Sequence, residues 1–299
     1  MDLTPLSLSS NITDVALVFE GGGMRASYTS AVVQTLLENE LYFDWVAGIS
    51  AGSSNVANYL VRDPARAKRS FVDFAADQSM GSIRTFLRGQ GLFNSEYIYQ
   101  QTSGPGQALP FAWDNFAANP AQFRIGAFNC VTGETAWWGR DDVKTRQDLM
   151  TAIQASSSMP VVMPPTFVNG EPYLDGAIGE NGGIALDIAI RDGYEKFFFV
   201  LTQKRDYVKK SPSHDGVIRR ALKDYPLAVE ATLDRPRKYN ETRERILELE
   251  REGKAYVFWA NDMSVGNQER RVDRLQRNFS LGRRQALAEL PKWREFLGK

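Results

Sequence analysis

The hydrophobic residues in the first part of the chain form short continuous runs that alternate with helical patterns. Residues 14–20 contain a continuous apolar run at 15–19 that is rich in valine, which predicts a buried strand that runs into three glycines. A helix is predicted over about 24–37, a second strand over about 43–49 and a second helix over about 51–61. Strand and helix in this alternation are typical of a parallel α/β sheet.

The pattern changes over about 64–120, where helix-like pieces mix with glycine-containing and aromatic loops, and this segment resembles a cap inserted into the core. We interpret residues 1–299 as a single domain, with a core of about 14–205 and a charged extension, 206–299, packed on it. The further predicted elements are a hairpin at 123–130 and 134–138, strands at 196–203 and 255–260, and helices near 147–156, 184–191, 237–252 and 268–290.

Composition narrows the classes of protein. The chain is 43% hydrophobic and 24% charged, as expected for a folded protein that can bury a sizeable core. No signal peptide is expected over 1–14, and the longest apolar runs are too short to span a bilayer. The lone cysteine, Cys130, fits a reducing compartment and is expected to be a small buried residue. We therefore expect a cytoplasmic protein.

The net charge of zero is unevenly distributed. Residues 1–200 hold 13 basic and 21 acidic side chains (13 − 21 = −8), whereas residues 201–299 hold 23 and 15 (23 − 15 = +8). A basic carboxy-terminal third is suited to peripheral contact with an anionic inner membrane surface, although a solvated helical face gives the same composition. No nucleic-acid-binding pattern is present in the sequence.

The segment from Gly48 to Gly52 reads G-I-S-A-G and matches the nucleophile elbow G-x-S-x-G. The two glycines, Gly48 and Gly52, suit the tight turn between strand and helix that lifts Ser50 above the sheet. A predicted strand precedes Ser50 and a predicted helix follows it, which is the context that the motif requires. Ser50 is therefore a candidate nucleophile.

Gly21, Gly22 and Gly23, followed by Met-Arg25, also end a strand and open a helix. Consecutive glycines let several N–H groups converge on one anion, as in an oxyanion hole. A nucleotide-phosphate loop and a plain tight turn are equally compatible with the glycines alone, although Ala26 stands where a dinucleotide loop has its last glycine. Asp175-Gly176 is a further candidate, but most such pairs are simply turns.

The chain has one histidine, His214, in a polar stretch that we interpret as an exposed loop. A Ser50, Asp175, His214 triad fits the chain order of some hydrolases, but a catalytic imidazole needs a rigid setting and an orienting carboxylate. If Ser50 is a nucleophile, its base is then more simply a carboxylate.

The three motifs G-G-G-M-R, G-I-S-A-G and D-G-A occur in the order in which the patatin-like phospholipase family carries them. The segment from Ala155 to Pro165 and the segment before the 196–203 strand also resemble that family, over about 14–205. The resemblance implies a three-layer α/β/α sandwich with a mainly parallel sheet. It further implies roles for individual residues: Ser50 as nucleophile, Asp175 as base, Gly21, Gly22, Gly23 and Arg25 as the oxyanion loop, and Gly48, Gly52 and Gly176 as motif glycines.

The activity implied is hydrolysis of lipid acyl esters through an acyl-serine, on a lipid or small acyl ester, with no cofactor or metal. The α/β-hydrolase fold is the alternative architecture. Acyl transfer or thioester hydrolysis on the same two residues is an alternative reaction, and a non-enzymatic lipid- or phosphate-binding module is an alternative class. Acyl-chain length, head group and oligomeric state do not follow from the sequence.

Overall fold

The structure is a computed structural model that describes residues 8–213 and 215–299. An eight-stranded sheet forms its centre. In chain order the strands are β1 (Ala16–Phe19), β2 (Trp45–Ile49), β3 (Gln122–Asn129), β4 (Thr135–Trp138), β5 (Thr166–Val168), β6 (Glu171–Asp175), β7 (Phe197–Val200) and β8 (Ala255–Phe258). The helices are α1 (Ala26–Glu38), α2 (Ala51–Leu60), α3 (Arg66–Phe71), α4 (Ile83–Leu87), α5 (Trp113–Ala118), α6 (Arg146–Ser156), α7 (Leu186–Arg191), α8 (Asp215–Ala221), α9 (Pro226–Arg251) and α10 (Val272–Leu297).

Five neighbouring strands, in the order β3-β2-β1-β7-β8, run parallel, and β4, β5 and β6 are joined to them through antiparallel pairs. Side chains of β1 alternate between two buried clusters: Leu17 and Phe19 pack with α1, α2 and α10, whereas Ala16 and Val18 pack with α7 and α9. Both faces of the sheet are therefore covered by helices, which is why its strands are apolar without interruption. The predicted three-layer α/β/α sandwich with a mainly parallel sheet is confirmed.

Two strands, β2 and β6, pair with the same edge of β3. β4 pairs with β3 over 125–128 and occupies its other edge. The shared edge carries β2, which ends with Ile49 opposite Gly126, and then β6, which ends with Asp175 opposite Ala127. Because β2 is parallel and β6 antiparallel to β3, their carboxyl ends meet head to head at adjacent residues of the same strand.

Some elements differ from those predicted. The β5–β6 hairpin was not predicted, although its two-residue loop, Asn169-Gly170, is the commonest sequence signal for a tight hairpin, and both residues have positive φ (52° and 85°). Helix α8 was also missed. Helix α9 begins at Pro226, well before the predicted start near 237. A proline is compatible with this position because it lies in the first turn of the helix.

The segment 64–120, which the sequence predicts to be an insertion, contains α3, α4, α5 and a π-helical turn at Glu96–Gln100. It contributes Met80, Phe93 and Leu109 to an apolar cluster that also includes Met24 and Met163. Residues of this segment therefore lie beside Ser50, at one end of the sheet.

Helix α10 closes the core from the carboxy-terminal third. Trp293 is completely buried, and its ring centroid lies 5.4 Å from that of Phe198 and 6.0 Å from that of Phe258. Near the other end of the helix, the Asn278 amide donates to Ser27 Oγ at 2.9 Å. Helix α10 is thus packed both on the sheet and on the first turn of α1.

We expect Trp293→Ala to lower the free energy of unfolding by about 3–5 kcal/mol, since it leaves a cavity between two strands and a helix. Urea unfolding followed by circular dichroism measures the change. Leu287→Ala is the matched control on the same helix, because Leu287 is exposed (47%); its cost should stay within about 0.5 kcal/mol. Equal losses in the two variants would contradict the packing described for α10.

Candidate active site

Ser50 lies on a strained turn between β2 and α2, with φ 57° and ψ −130°. The turn is tight because α2 begins at the next residue. A Cβ on Gly48 would collide with the carbonyl of Gly52, and a Cβ on Gly52 would collide with the carbonyl of Phe19. The two glycines are therefore required by close approach of backbone to backbone, as the elbow motif predicts.

Asp175 contacts Ser50 directly. Ser50 Oγ donates to Asp175 Oδ2 at 2.7 Å, and the other carboxylate oxygen, Oδ1, accepts the Ala177 N–H at 2.9 Å. Both side chains are buried, with 6% of Ser50 and 3% of Asp175 exposed. The meeting of β2 and β6 on β3 brings these two residues together although they are 125 positions apart in the sequence.

Burial raises the pKa of Asp175 above its usual range, and this effect exceeds the opposing hydrogen bonds from Ser50 and Ala177 and the charge of Arg235. A carboxylate whose pKa is raised is a stronger base than an exposed one. It is placed to accept the proton of the hydroxyl that it contacts.

Ser156 is hydrogen-bonded to the turn and was not predicted from the sequence as a residue of the site. Its Oγ accepts the Ser50 N–H at 2.8 Å and donates to the carbonyl of Gly126 at 2.6 Å. The hydroxyl links the elbow to the point on β3 where β2 and β6 meet. Its position at the end of α6, within a run of three serines, gave no signal of this contact.

The glycine loop follows β1 and lies beside the elbow, but its glycines are not equivalent. The Gly21 N–H donates to the carbonyl of Gly183 at 3.4 Å, and the Arg25 N–H donates to the carbonyl of Gly22 at 3.2 Å. Within the described residues, the Gly22 N–H has no protein acceptor. The Gly21 N–H thus has a protein acceptor in this structure, whereas Gly22 and Gly23 border the space in front of Ser50.

A buried carboxylate anchors this loop. Glu20 accepts the Tyr239 hydroxyl at 2.6 Å and the Thr202 N–H at 2.5 Å, and Thr202 Oγ1 donates to the carbonyl of Gly21 at 3.0 Å. Helix α9 and the residues after β7 thus fix the loop's position. The sequence did not indicate Glu20, Thr202 or Tyr239 as supporting residues.

Two cavities meet at Ser50. One has a volume of about 110 Å³ and is mainly apolar, lined by residues that include Met80, Leu109, Ile153 and Met163. The other is larger, about 560 Å³, and more polar; Asp175, Gly22, Gly23 and several basic side chains border it. The hydroxyl therefore lies between an apolar space and a basic one.

The remaining candidates lie elsewhere. Cys130 is buried, as predicted, and burial raises its pKa to about 12. In residues 8–213 and 215–299 no three His, Cys, Asp or Glu side chains are grouped as metal ligands. His214 falls outside the described residues. None of the helices in the described ranges is both long enough and apolar enough to cross a membrane.

The part of the chain that holds this site matches a known protein family. The family model "Patatin-like phospholipase" matches residues 17–189, more than half of the chain, and this range includes most of β1, the elbow and Asp175. The chain belongs to the patatin-like phospholipase family. This membership supports a lipid acyl hydrolase. A second model, the domain of unknown function DUF6363, matches residues 225–298, which contain α9 and α10.

Two individual proteins are similar to parts of the chain. The uncharacterized protein YjjU of Escherichia coli (strain K12) is 25% identical over 204 residues, which are 67% of this chain and 56% of that protein. The chain thus spans little more than half the length of this relative. The crystal structure of VipD from Legionella pneumophila matches with a TM-score of 0.50 and 13% identity, over 93% of this chain and 67% of that chain. At this identity the likeness shows the fold.

We expect Asp175→Asn to be at least as stable as the wild type at neutral pH. Because the pKa of Asp175 is raised in the folded chain, the stabilisation from its proton is complete below the unfolded pKa of ~3.9 and is lost as the pH rises through the folded pKa. Asparagine has no proton to lose there, so the advantage of the variant in free energy of unfolding should grow from about pH 4 upward.

Urea unfolding at several pH values measures this advantage. Asp141→Asn is the control, since Asp141 is fully exposed, and it should show no such growth with pH. An Asp175→Asn variant that is clearly less stable than the wild type at pH 7 would contradict the direction of the shift.

Proposed function

We propose that the protein hydrolyses acyl esters of lipids, with Ser50 as nucleophile and Asp175 as its base. The contact of 2.7 Å between Ser50 Oγ and Asp175 Oδ2, inside a buried site on a strained elbow, is the observation that carries the proposal. A nucleophile in hydrogen-bond contact with its base is the arrangement that activates a hydroxyl.

In the first step Asp175 Oδ2 takes the proton of Ser50 Oγ while Oγ bonds to the ester carbonyl carbon. The carbonyl oxygen becomes an oxyanion, for which the N–H groups of Gly22 and Gly23 are the proposed donors, beside the positive charge of Arg25. When the tetrahedral intermediate collapses, the C–O bond to the alcohol breaks and Asp175 returns the proton to the departing oxygen. An acyl-serine remains.

In the second step a water molecule attacks the acyl-serine and gives a proton to Asp175. The bond to Ser50 Oγ then breaks, Oγ takes the proton back from Asp175, and the carboxylic acid leaves. The same acyl-serine supports acyl transfer if an alcohol or thiol replaces water, and analysis of the released products distinguishes the two outcomes.

The apolar cavity is the proposed site of the acyl chain. It begins at Ser50, and Met80, Leu109 and Met163 are among its walls, so an acyl chain bound there would have its carbonyl at the hydroxyl.

Peripheral contact with lipid is also part of the proposal: on α4, Phe86 (42% exposed) and Leu87 (79% exposed) lie between Arg84 and Arg88. We further propose that residues 1–299 act as one domain, because α9 and α10 pack on the sheet.

We expect Ser50→Ala to lose ester hydrolysis by roughly 10⁴-fold or more and to lose covalent labelling by a fluorophosphonate, since the attacking oxygen is absent. Asp175→Asn should lose comparable activity, because an amide does not accept the proton. Rates on a soluble p-nitrophenyl ester and mass spectrometry of the labelled chain measure both effects.

His214→Ala and Ser280→Ala, which changes an exposed serine of α10, are the controls and should keep kcat/KM within a few fold. Circular dichroism establishes that each variant is folded. An inactive but folded His214→Ala would mean that the base is an imidazole, and full labelling of Ser50→Ala would mean that another serine is the nucleophile.

We expect Met80→Trp to shorten the acyl chain that the enzyme accepts, because the larger ring fills part of the apolar cavity. Each methylene that is no longer buried costs about 0.8 kcal/mol, or roughly fourfold in kcat/KM. The measurement is kcat/KM along a series of p-nitrophenyl esters from acetate to decanoate. Met80→Leu, of nearly equal volume, should keep the wild-type profile; an unchanged profile in Met80→Trp would place the acyl chain elsewhere.

A further inference from the structure

The carboxy-terminal segment 225–298, which matches the domain of unknown function DUF6363, contacts the glycine loop at residues 20–25. Helix α9 contributes Tyr239 to this contact, and the residues between β8 and α10 contribute Asn267. Neither residue lies within 17–189, the range that matches the patatin-like family. The loop in front of Ser50 therefore has supports that the matched family range does not contain.

The first support is a chain of hydrogen bonds from Tyr239 to the backbone of the loop. Tyr239 is buried, and its hydroxyl donates to Glu20 Oε1 at 2.6 Å, while Glu20 Oε2 accepts the Thr202 N–H at 2.5 Å. Thr202 Oγ1 donates in turn to the carbonyl of Gly21 at 3.0 Å. A Cβ on Gly22 would come within 2.8 Å of that hydroxyl oxygen, so the loop lies directly against Thr202.

The same tyrosine supports the loop by a second route, through its backbone. A Cβ on Gly182 would lie 2.6 Å from Tyr239 Cα, so α9 packs directly on the segment 182–183. The carbonyl of Gly183 accepts the Gly21 N–H at 3.4 Å. Tyr239 therefore restrains both the carbonyl and the N–H of Gly21 through the residues that it contacts.

The second support is the backbone of Asn267. Its carbonyl accepts the Met24 N–H at 3.0 Å. Gly23 has a φ of 54°, and a Cβ at this position would lie 2.4 Å from the same carbonyl oxygen. Because glycine alone permits both this conformation and this approach, the loop and the segment before α10 pack backbone to backbone.

The two supports engage N–H groups on either side of a pair that has no partner. The N–H groups of Gly21 and Met24 both donate to backbone carbonyls. The N–H groups of Gly22 and Gly23, which lie between them, have no acceptor in the part of the chain that the structure describes. Both glycines border the space in front of Ser50. Adjacent donors fixed beside a nucleophile are the requirement of a preorganised oxyanion hole.

We propose that segment 225–298 completes the active site by holding the glycine loop in the conformation that binds the oxyanion. Tyr239 is a positioning residue: it lines neither cavity at Ser50 and acts through Glu20 and Thr202. The inference rests on the function proposed above and adds the role of the carboxy-terminal segment in it. Preorganised donors stabilise the charge that develops in the transition state, so their displacement lowers kcat and leaves substrate binding nearly unchanged.

Tyr239→Phe tests the first support, because it removes the hydroxyl and keeps the buried ring. On a soluble p-nitrophenyl ester we expect kcat to fall about 10- to 100-fold, as for a small misplacement of catalytic groups, with KM changed less than about twofold. Tyr256→Phe is the matched control, since it removes a bond of the same kind, from the Tyr256 hydroxyl on β8 to Glu289 on α10 at 2.7 Å. Its kcat should stay at the wild-type level.

Thr202 offers a rescue by a conservative change. Thr202→Val keeps the shape of the side chain but has no donor for the Gly21 carbonyl, so kcat should fall, whereas Thr202→Ser keeps the donor and should keep most of kcat. A trifluoromethyl ketone reports on the oxyanion donors themselves, because Ser50 adds to it and forms a tetrahedral oxyanion. Its inhibition constant should rise in each variant by the factor by which kcat falls.

Hydrogen exchange followed by mass spectrometry gives a measurement that does not depend on activity. The Gly21 and Met24 amides are protected by the bonds described above. We expect the peptide that contains the loop to exchange faster in Tyr239→Phe than in the wild type or in Tyr256→Phe, because the loop opens more often when a support is missing.

The outcomes separate this inference from the proposed function. Unchanged kcat and unchanged exchange in Tyr239→Phe overturn the positioning role even if the protein hydrolyses esters. An equal fall of kcat in Tyr256→Phe indicates a general loss of stability, and a rise of KM alone in Tyr239→Phe indicates a loss of substrate binding; each overturns it as well. Faster exchange of the loop in Tyr239→Phe, with no hydrolysis of any ester by the wild type, supports the role of segment 225–298 in holding the loop while the proposed hydrolase function fails.

Discussion

The arrangement of the site depends on one edge of β3. β2 and β6 arrive there from opposite directions and end at the neighbouring residues Gly126 and Ala127. The strand fixes the distance between them to one residue spacing, so the turn after β2 and the carboxylate at the end of β6 meet without any loop having to position either. Most open α/β sheets gather functional residues from parallel neighbours; here an antiparallel strand delivers one of the two.

This meeting point leaves little room for side chains. A Cβ on Gly176 would strike the carbonyl of Gly126, and that same carbonyl accepts the hydroxyl of Ser156. Ser50 itself has a positive φ that a non-glycine residue rarely adopts, and such strain costs of order 1–3 kcal/mol. The surrounding hydrogen bonds and buried strands hold the residue in that conformation, which keeps its hydroxyl in contact with Asp175.

The sequence predicted the features that are local. β1, β2, β7 and β8 are short apolar runs, and the elbow was recognised because a strand pattern preceded Ser50 and a helix pattern followed it. The resemblance to a known family supplied the pairing with Asp175, which local patterns do not contain, since Asp175-Gly176 looks like an ordinary turn. Long-range partners had no signal at all: the bond that occupies the Gly21 N–H, the support of Glu20 by Tyr239, and the contact of Asn240 with Lys209 all join segments that are distant in the sequence.

The position of Trp293 has a consequence for how the protein is made. The amino terminus of a chain leaves the ribosome first, and domains tend to fold as units once their sequence is available. The sheet face formed by β7 and β8 receives its covering aromatic ring only when the second half of α10 has been synthesised. Until then the side chains of Phe198, Tyr256 and Phe258 lack the ring of Trp293 against which they pack.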